Sequence, residues 1–130
     1  MITWNSDFSV GRQDIDEQHM ELIRILNEME TVIQSADFNH LHIASVVEKL
    51  ENYAKTHFIY EENLMVERNY PMLDEHTHVH NEFRVKLHSI YVLDIEKPMD
   101  FYYEMLEYLT RWWTEHILRT DKLLGNYLSC

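Results

Sequence analysis

The chain has 130 residues, a length suited to one domain with its own hydrophobic core. Its formal charge is −12, from 23 acidic and 11 basic residues, and such a surface repels nucleic-acid phosphates and anionic membranes. Two glycines and two prolines allow few turns, which favours long helices and excludes glycine-rich phosphate loops. We therefore expect neither nucleic acid nor membrane among its partners.

The cysteine content and the N-terminus bear on the cellular compartment. Cys130 is the single cysteine, so neither an intramolecular disulfide nor a thiolate zinc site can form, as is typical of a reducing compartment. The first residues show no charged start followed by an apolar run, so no signal peptide is expected. No stretch reaches the ~18 apolar residues of a membrane span. We predict a cytoplasmic protein.

The whole chain is expected to form one domain, 1–130, with an irregular arm at 1–13 and a helical bundle at 14–130. The first helix is predicted to begin near Asp14 to Asp16, where Asp14 and Glu17 have the spacing of a capping box. His19 lies within the apolar stripe of this helix, which ends before a break at residues 35–39.

The second helix follows that break, and His57 and Glu61 continue its apolar face until residues 68–70 interrupt it. Pro71 suits the first position of a third helix, which carries His76 and His80 on its apolar stripe.

A break at residues 94–98 separates the third helix from the fourth, on which His116 continues the apolar face. Short connections make consecutive helices antiparallel, so the sequence predicts an all-α, up-down-up-down four-helix bundle. The N-terminal ends of the first and third helices and the C-terminal ends of the second and fourth then lie at the same end of the bundle. One inward-facing layer would collect seven residues: His19, His57, Glu61, His76, His80, His116 and Asp121.

Two of the histidine-containing pairs have a spacing of four residues, which places both members on one helical face. A single pair is weak evidence, since a solvent-facing pair or a hydrogen-bonded core histidine is the ordinary interpretation. Several such residues on apolar stripes are different, because buried polar groups need partners and buried charges are usually paired or bind metal. Imidazole suits iron, zinc, copper and nickel, and carboxylate bridges suit iron and manganese. The set therefore predicts a metal centre.

Asp121 fits this layer less simply than the other six residues. It follows His116 by five residues, which turns a regular α-helix by about 140° and separates the two faces. Either Asp121 is a surface acid, or the helix is locally widened as in π-bulges. Spacing alone favours the surface interpretation. The four remaining histidines are predicted to be solvated: His40, His42, His78 and His88.

A series of short motifs extends over nearly the whole chain. In order they are Trp4, Phe8-Ser-Val-Gly11, Ile15-Asp-Glu-Gln-His19, His57-Phe-Ile-Tyr-Glu61-Glu-Asn-Leu-Met65, Tyr70-Pro71, His76, His80, Phe83, Trp112, His116-Ile117 and Asp121. Each is modest, but their order and spacing together are specific. The chain resembles a hemerythrin, in particular the single-domain bacterial members of that family.

The resemblance implies a cofactor of two iron ions, Fe2+ or Fe3+, bridged by Glu61, Asp121 and an oxo or hydroxo group. One iron would be completed by three histidines, His76, His80 and His116. The other would be held by His19 and His57, with one coordination position open for O2. The matching O2-pocket positions are Leu22, Phe58, Trp112, Trp113 and Ile117. Trp113 departs from the family pattern, which usually has leucine there.

The function that this resemblance implies is reversible O2 binding for storage, delivery or scavenging, without enzymatic activity. One alternative is an O2 or redox sensor domain read by a protein partner, whose identity the sequence leaves open. Another is a di-iron oxidase or peroxidase. The ferritin-like centres of that kind use more carboxylates, including Glu-x-x-His pairs, so the histidine-rich set favours reversible binding.

Overall fold

The computed structural model describes residues 1–91 and 97–129, with the backbone alone at 89–91. Within this part of the chain there are helices and no strands. The helices are α1 (Gln13–Gln34), α2 (His40–Glu67), α3 (Leu73–Tyr91), α4 (Met99–Glu115) and α5 (Lys122–Leu128). A six-residue π-helix, His116–Asp121, joins α4 to α5 with helical backbone angles throughout, so these three pieces form the fourth rod of a four-helix bundle. The predicted fold class is confirmed.

The predicted break at 94–98 lies mostly outside the described residues, as does Cys130. No helix within the described ranges is long and apolar enough to cross a membrane.

The start of α1 differs from the prediction. Helix α1 begins at Gln13, and its N-cap residue, Arg12, makes no side-chain capping bond. The Asp14 carboxylate instead accepts hydrogen bonds from the Arg12 guanidinium, at 2.8 Å, and from the Tyr60 hydroxyl. The capping-box prediction for Asp14 and Glu17 was therefore wrong, because an ion pair and a phenol on α2 compete for this carboxylate.

The turn before α3 also corrects the sequence interpretation. Asn69 has a φ of 54°, in the left-handed region, and the Tyr70 amide donates to the Met65 carbonyl at 2.9 Å, which closes α2. Pro71 lies in the following turn, and α3 begins only at Leu73. Pro71 is thus not the first helical residue, since the chain needs two more residues to reverse direction.

The apolar core has two main parts, which flank the layer of predicted ligands. The larger includes Leu22 and Phe58, and the smaller includes Ile15 and Met65. On α1, His19 lies between Ile15 and Leu22 in the chain; on α2, Glu61 lies between Phe58 and Met65. The predicted site is therefore enclosed by close-packed apolar side chains above and below.

The N-terminal arm packs against the fourth rod. Asp16 fastens the arm by accepting hydrogen bonds from the Ser9 hydroxyl at 2.6 Å and the Val10 amide at 2.8 Å. Phe8 forms a buried cluster with Ile23 and Ile117, the latter in the π-helix. The arm thus covers the segment that carries the last predicted ligand.

Gly125 is the point of closest approach between the arm and α5. A Cβ atom at this position would lie 2.1 Å from the Val10 carbonyl oxygen. Glycine to alanine inside a helix normally stabilises by about 0.5–1 kcal/mol. Here we expect Gly125→Ala to lower the free energy of unfolding by about 1–3 kcal/mol, the range for overpacked sites. Urea unfolding monitored by circular dichroism measures the change. An unchanged or raised midpoint would show that the arm does not pack on α5 in this way.

Candidate metal centre

All seven predicted ligands converge in one buried layer, and none is more than 3% exposed. Their potential ligand atoms form two overlapping groups, each within a 4.8 Å span. One group contains Glu61, Asp121 and three histidines, and the other contains the same two carboxylates and two histidines. The full membership is Glu61, His76, His80, His116 and Asp121 in the first, and His19, His57, Glu61 and Asp121 in the second.

On the three-histidine side, one oxygen of each carboxylate faces the imidazole nitrogens. His76 Nε2 lies 3.3 Å from Glu61 Oε1 and 3.1 Å from Asp121 Oδ1. His80 Nε2 lies 3.2 Å from Glu61 Oε1, and His116 Nε2 lies 3.0 Å from Asp121 Oδ1. Three ring nitrogens therefore surround the Oε1–Oδ1 pair.

On the two-histidine side, the second oxygen of each carboxylate, Glu61 Oε2 and Asp121 Oδ2, faces the imidazole nitrogens. His19 Nε2 lies 2.8 Å from Asp121 Oδ2, and His57 Nε2 lies 3.4 Å from Glu61 Oε2. The two Nε2 atoms are 3.2 Å apart. Each carboxylate thus shares its two oxygens between the two groups of histidines.

The π-helix explains how Asp121 reaches this layer. Its hydrogen bonds join residues five apart, so His116 and Asp121 come onto one face, where a regular α-helix would separate them. Asp121 is fully buried. The surface interpretation that spacing alone favoured was therefore wrong, and the widened-helix alternative was right.

The buried oxygens lack adequate protein partners. Glu61 Oε2 and both oxygens of Asp121 accept no well-directed hydrogen bond, although ring nitrogens lie close to them. A buried acceptor without a bond costs about 1–3 kcal/mol, and more when it is charged. Nitrogens that are near such oxygens but not aimed at them point to cations between the two sets. The donors present fit two metal ions.

Burial and the two carboxylates shift the pKa values of the histidines in opposite directions. Burial lowers the pKa of His57 to about 4. Burial also opposes charge on His19 and His76, but the close carboxylates of Asp121 and Glu61 outweigh it and raise the pKa of each to about 9. Both carboxylates keep a lowered pKa despite their burial, because histidines surround them. Protons on histidine thus balance the carboxylates, and metal ions must displace those protons to bind.

Two histidines are contacted at Nδ1, the ring nitrogen that faces away from the centre, by residues that the sequence did not identify as supports. His57 Nδ1 lies 2.6 Å from Gln18 Oε1, and His80 Nδ1 lies 2.7 Å from Glu62 Oε2. The sequence offered only a weak signal for these two residues. Gln18 precedes the predicted ligand His19 in the chain, and Glu62 follows the predicted ligand Glu61.

Four of the five predicted pocket residues are buried, and Trp112 is half-buried. Phe58 stacks on the Trp113 ring, with centroids 5.5 Å apart, and Trp113 lies 5.9 Å from the His57 ring. The indole N–H of Trp113 is buried without a partner. Ile117 packs instead with the arm and α1, apart from the Phe58 cluster.

The histidines predicted to be solvated lie outside both groups. His42, His78 and His88 are exposed, and His40 is half-buried. His78 has 74% of its side chain exposed and contacts Glu82 on the surface of α3.

Fold and site together define a four-helix-bundle protein with a buried histidine–carboxylate centre. A family model described as the hemerythrin HHE cation-binding domain matches residues 10–128. The chain therefore belongs to the hemerythrin family.

Two relatives illustrate the similarity in sequence. A bacteriohemerythrin of Stenotrophomonas maltophilia is 30% identical over 129 residues, covering 99% of this chain and 82% of that protein. One of Clostridium acetobutylicum is 30% identical over 125 residues, covering 94% and 97%. A crystal structure of wild-type hemerythrin superposes with a TM-score of 0.86 at 22% identity, covering 100% of this chain and 99% of that one, which supports the fold.

The shared carboxylate gives a direct test of the site. Glu61→Ala removes an oxygen from both groups of ligand atoms, so we expect the variant to lose most of its bound metal on both sides. The matched control is His78→Ala, a histidine on α3 that faces solvent between His76 and His80. Metal analysis of both variants against the parent measures the effect. Equal metal content in the two variants would refute the assignment.

Proposed function

We propose that the chain is a single domain, residues 1–130, that binds O2 reversibly at a di-iron centre and is not an enzyme. Glu61 and Asp121 would bridge the ions, together with an oxo or hydroxo group. The first ion would take three histidines, His76, His80 and His116. The second would take two, His19 and His57.

The observation that carries this proposal is the unequal division of ligands around the shared carboxylates. With two carboxylate oxygens and the third bridge, three histidines complete six ligands, whereas two histidines give five. The two-histidine side would therefore retain one open position. This asymmetry suits binding of a small molecule beside His19 and His57 more than two equivalent structural ions.

Ferrous ions, when bound there, supply the electrons that bound O2 accepts. Buried side chains would restrict the access of water to that side, where the rings of Phe58 and Trp113 lie 6.0 and 5.9 Å from the His57 ring. Leu22, Phe58 and Trp113 are at most 1% exposed, and only Trp113 among them carries a polar hydrogen. A dry enclosure of this kind favours release of unreacted O2 over further chemistry.

The proposal includes a cytoplasmic location and O2 as the partner. A lone cysteine, Cys130, is compatible with a reducing compartment.

Reversibility is tested with the iron-loaded protein. The apoprotein is reconstituted anaerobically with ferrous iron, exposed to O2 and then returned to anaerobic conditions while its visible spectrum is followed. We expect an absorption band that appears with O2 and disappears on its removal over repeated cycles. A single irreversible conversion to the ferric form would favour a sensor or an oxidase, and the absence of any band would refute the proposal.

Trp113 should control how fast O2 enters and leaves. Its ring is fully buried against the rings of Phe58 and His57, and leucine is much smaller. Close-packed interiors respond to volume changes of this size. We expect Trp113→Leu to bind and release O2 faster than the parent in stopped-flow measurements, with iron content unchanged.

Leu109→Ala is the matched control for that experiment. Leu109 is a fully buried core residue four positions before Trp113, and its truncation also removes core volume. We expect it to lower the melting temperature but leave the O2 rates unaltered. Traces for Trp113→Leu that overlay those of the parent would show that the indole only fills the core.

A further inference from the structure

The two sides of the centre differ in how their histidines are supported. His57 Nδ1 faces the neutral amide oxygen of Gln18 at 2.6 Å, whereas His80 Nδ1 faces the carboxylate of Glu62 at 2.7 Å. Glu62 directly follows the proposed bridge Glu61, but its side chain is 22% exposed, whereas that of Glu61 is fully buried. A third carboxylate thus approaches the centre outside the two groups of ligand atoms.

Arg84 holds the Glu62 carboxylate in place. Arg84 follows His80 by one helical turn on α3, and its Nη1 and Nη2 atoms lie 3.0 and 3.3 Å from the two oxygens of Glu62. A planar guanidinium binding both oxygens fixes the carboxylate in position and in angle. Without it, a half-buried glutamate beside a second anion would turn toward water.

Phe58 closes the arrangement into a ring of four side chains. The Arg84 guanidinium lies 5.1 Å from the centroid of the Phe58 ring, within cation–π range. Phe58 in turn stacks face-on over the His80 imidazole, with centroids 4.0 Å apart and planes at 20°. His80 is therefore held at Nδ1 by Glu62 and on one face by Phe58, and Arg84 contacts both supports.

We propose that Glu62 and Arg84 are a positioning pair that holds His80 with Nε2 toward the three-histidine ion. The inference rests on the proposed di-iron function. Because a carboxylate can only accept, the His80 proton lies on Nδ1, which leaves the Nε2 lone pair free for metal. Arg84 offsets the charge that Glu62 would otherwise add to the centre. No metal contact by Glu62 or Arg84 is required.

Iron affinity measures this role. Glu62→Ala removes the acceptor, and loss of such an outer partner typically weakens metal binding about 10–100-fold. We expect faster iron loss to a ferrous chelator within that range. Glu62→Gln keeps an acceptor oxygen without the charge and should lie between Ala and the parent. Arg84→Met should also accelerate loss, and Arg84→Lys should restore part of the parent behaviour.

The matched control is Glu82→Gln. Glu82 also contacts a histidine, His78, at 2.9 Å, but on the exposed surface of α3. It should release iron at the parent rate. Equal iron loss from Glu62→Ala and Glu82→Gln would overturn the inference.

Mössbauer spectra of the iron-57 protein separate positioning from general stability. In Glu62→Ala we expect a change in the signal of the iron held by three histidines and none in that of the other iron. In Gln18→Ala we expect the reverse, because Gln18 supports His57 on the two-histidine side. Lower melting temperatures with both signals unaltered would mean that Glu62 has only a structural role. A parent chain that holds no pair of irons would overturn the proposed function and this inference together. If the parent holds two irons and Glu62→Ala has the same iron-loss rate and the same Mössbauer signals as the parent, this inference alone is overturned.

Discussion

Two buried carboxylates shared by five imidazoles are the constraint on which the rest of this structure depends. Glu61 and Asp121 are fully buried, and three of their four oxygens accept no well-directed hydrogen bond. Burial of carboxylates is unfavourable unless nearby positive charge balances them. The carboxylates raise the pKa of His19 and His76, which favours protons there, and in the proposed holoprotein two cations would supply the charge. The layer therefore links folding, metal affinity and function.

Several features of the fold serve this layer. The π-helix departs from regular α-helical geometry, and this departure turns Asp121 inward beside His116. The arm packs on that segment through Phe8 and is fastened to α1 by Asp16. Apolar clusters above and below restrict water. A widened helix turn at a functional site is thus stabilised by contacts elsewhere in the chain.

The bundle and most of the candidate site could be predicted from the sequence, because apolar periodicity fixes both helix number and facing. His19, His57 and His80 lie on stripes whose positions along the helices already imply one layer. Asp121 could not be placed by spacing, since α-helical geometry assigns it to the wrong face. Asp14 was misplaced because its carboxylate pairs with Arg12 and with Tyr60 on α2, and Pro71 because the turn before α3 extends to residue 72.

Other parts of the site depend on side-chain geometry that periodicity does not carry. Glu62 and Arg84 lie on different helices, and their approach to His80 follows from the crossing of α2 and α3. Likewise the sequence identifies Trp113 as unusual for the family, but only the packing shows its ring against both Phe58 and His57.

The shared carboxylates are tested most sharply by a crystal structure of the iron-loaded protein with anomalous scattering recorded at the iron edge. We expect two iron peaks in the buried layer, both bound by Glu61 and Asp121, with three histidines on one ion and two on the other. A single peak, or two peaks that do not share these carboxylates, would contradict it.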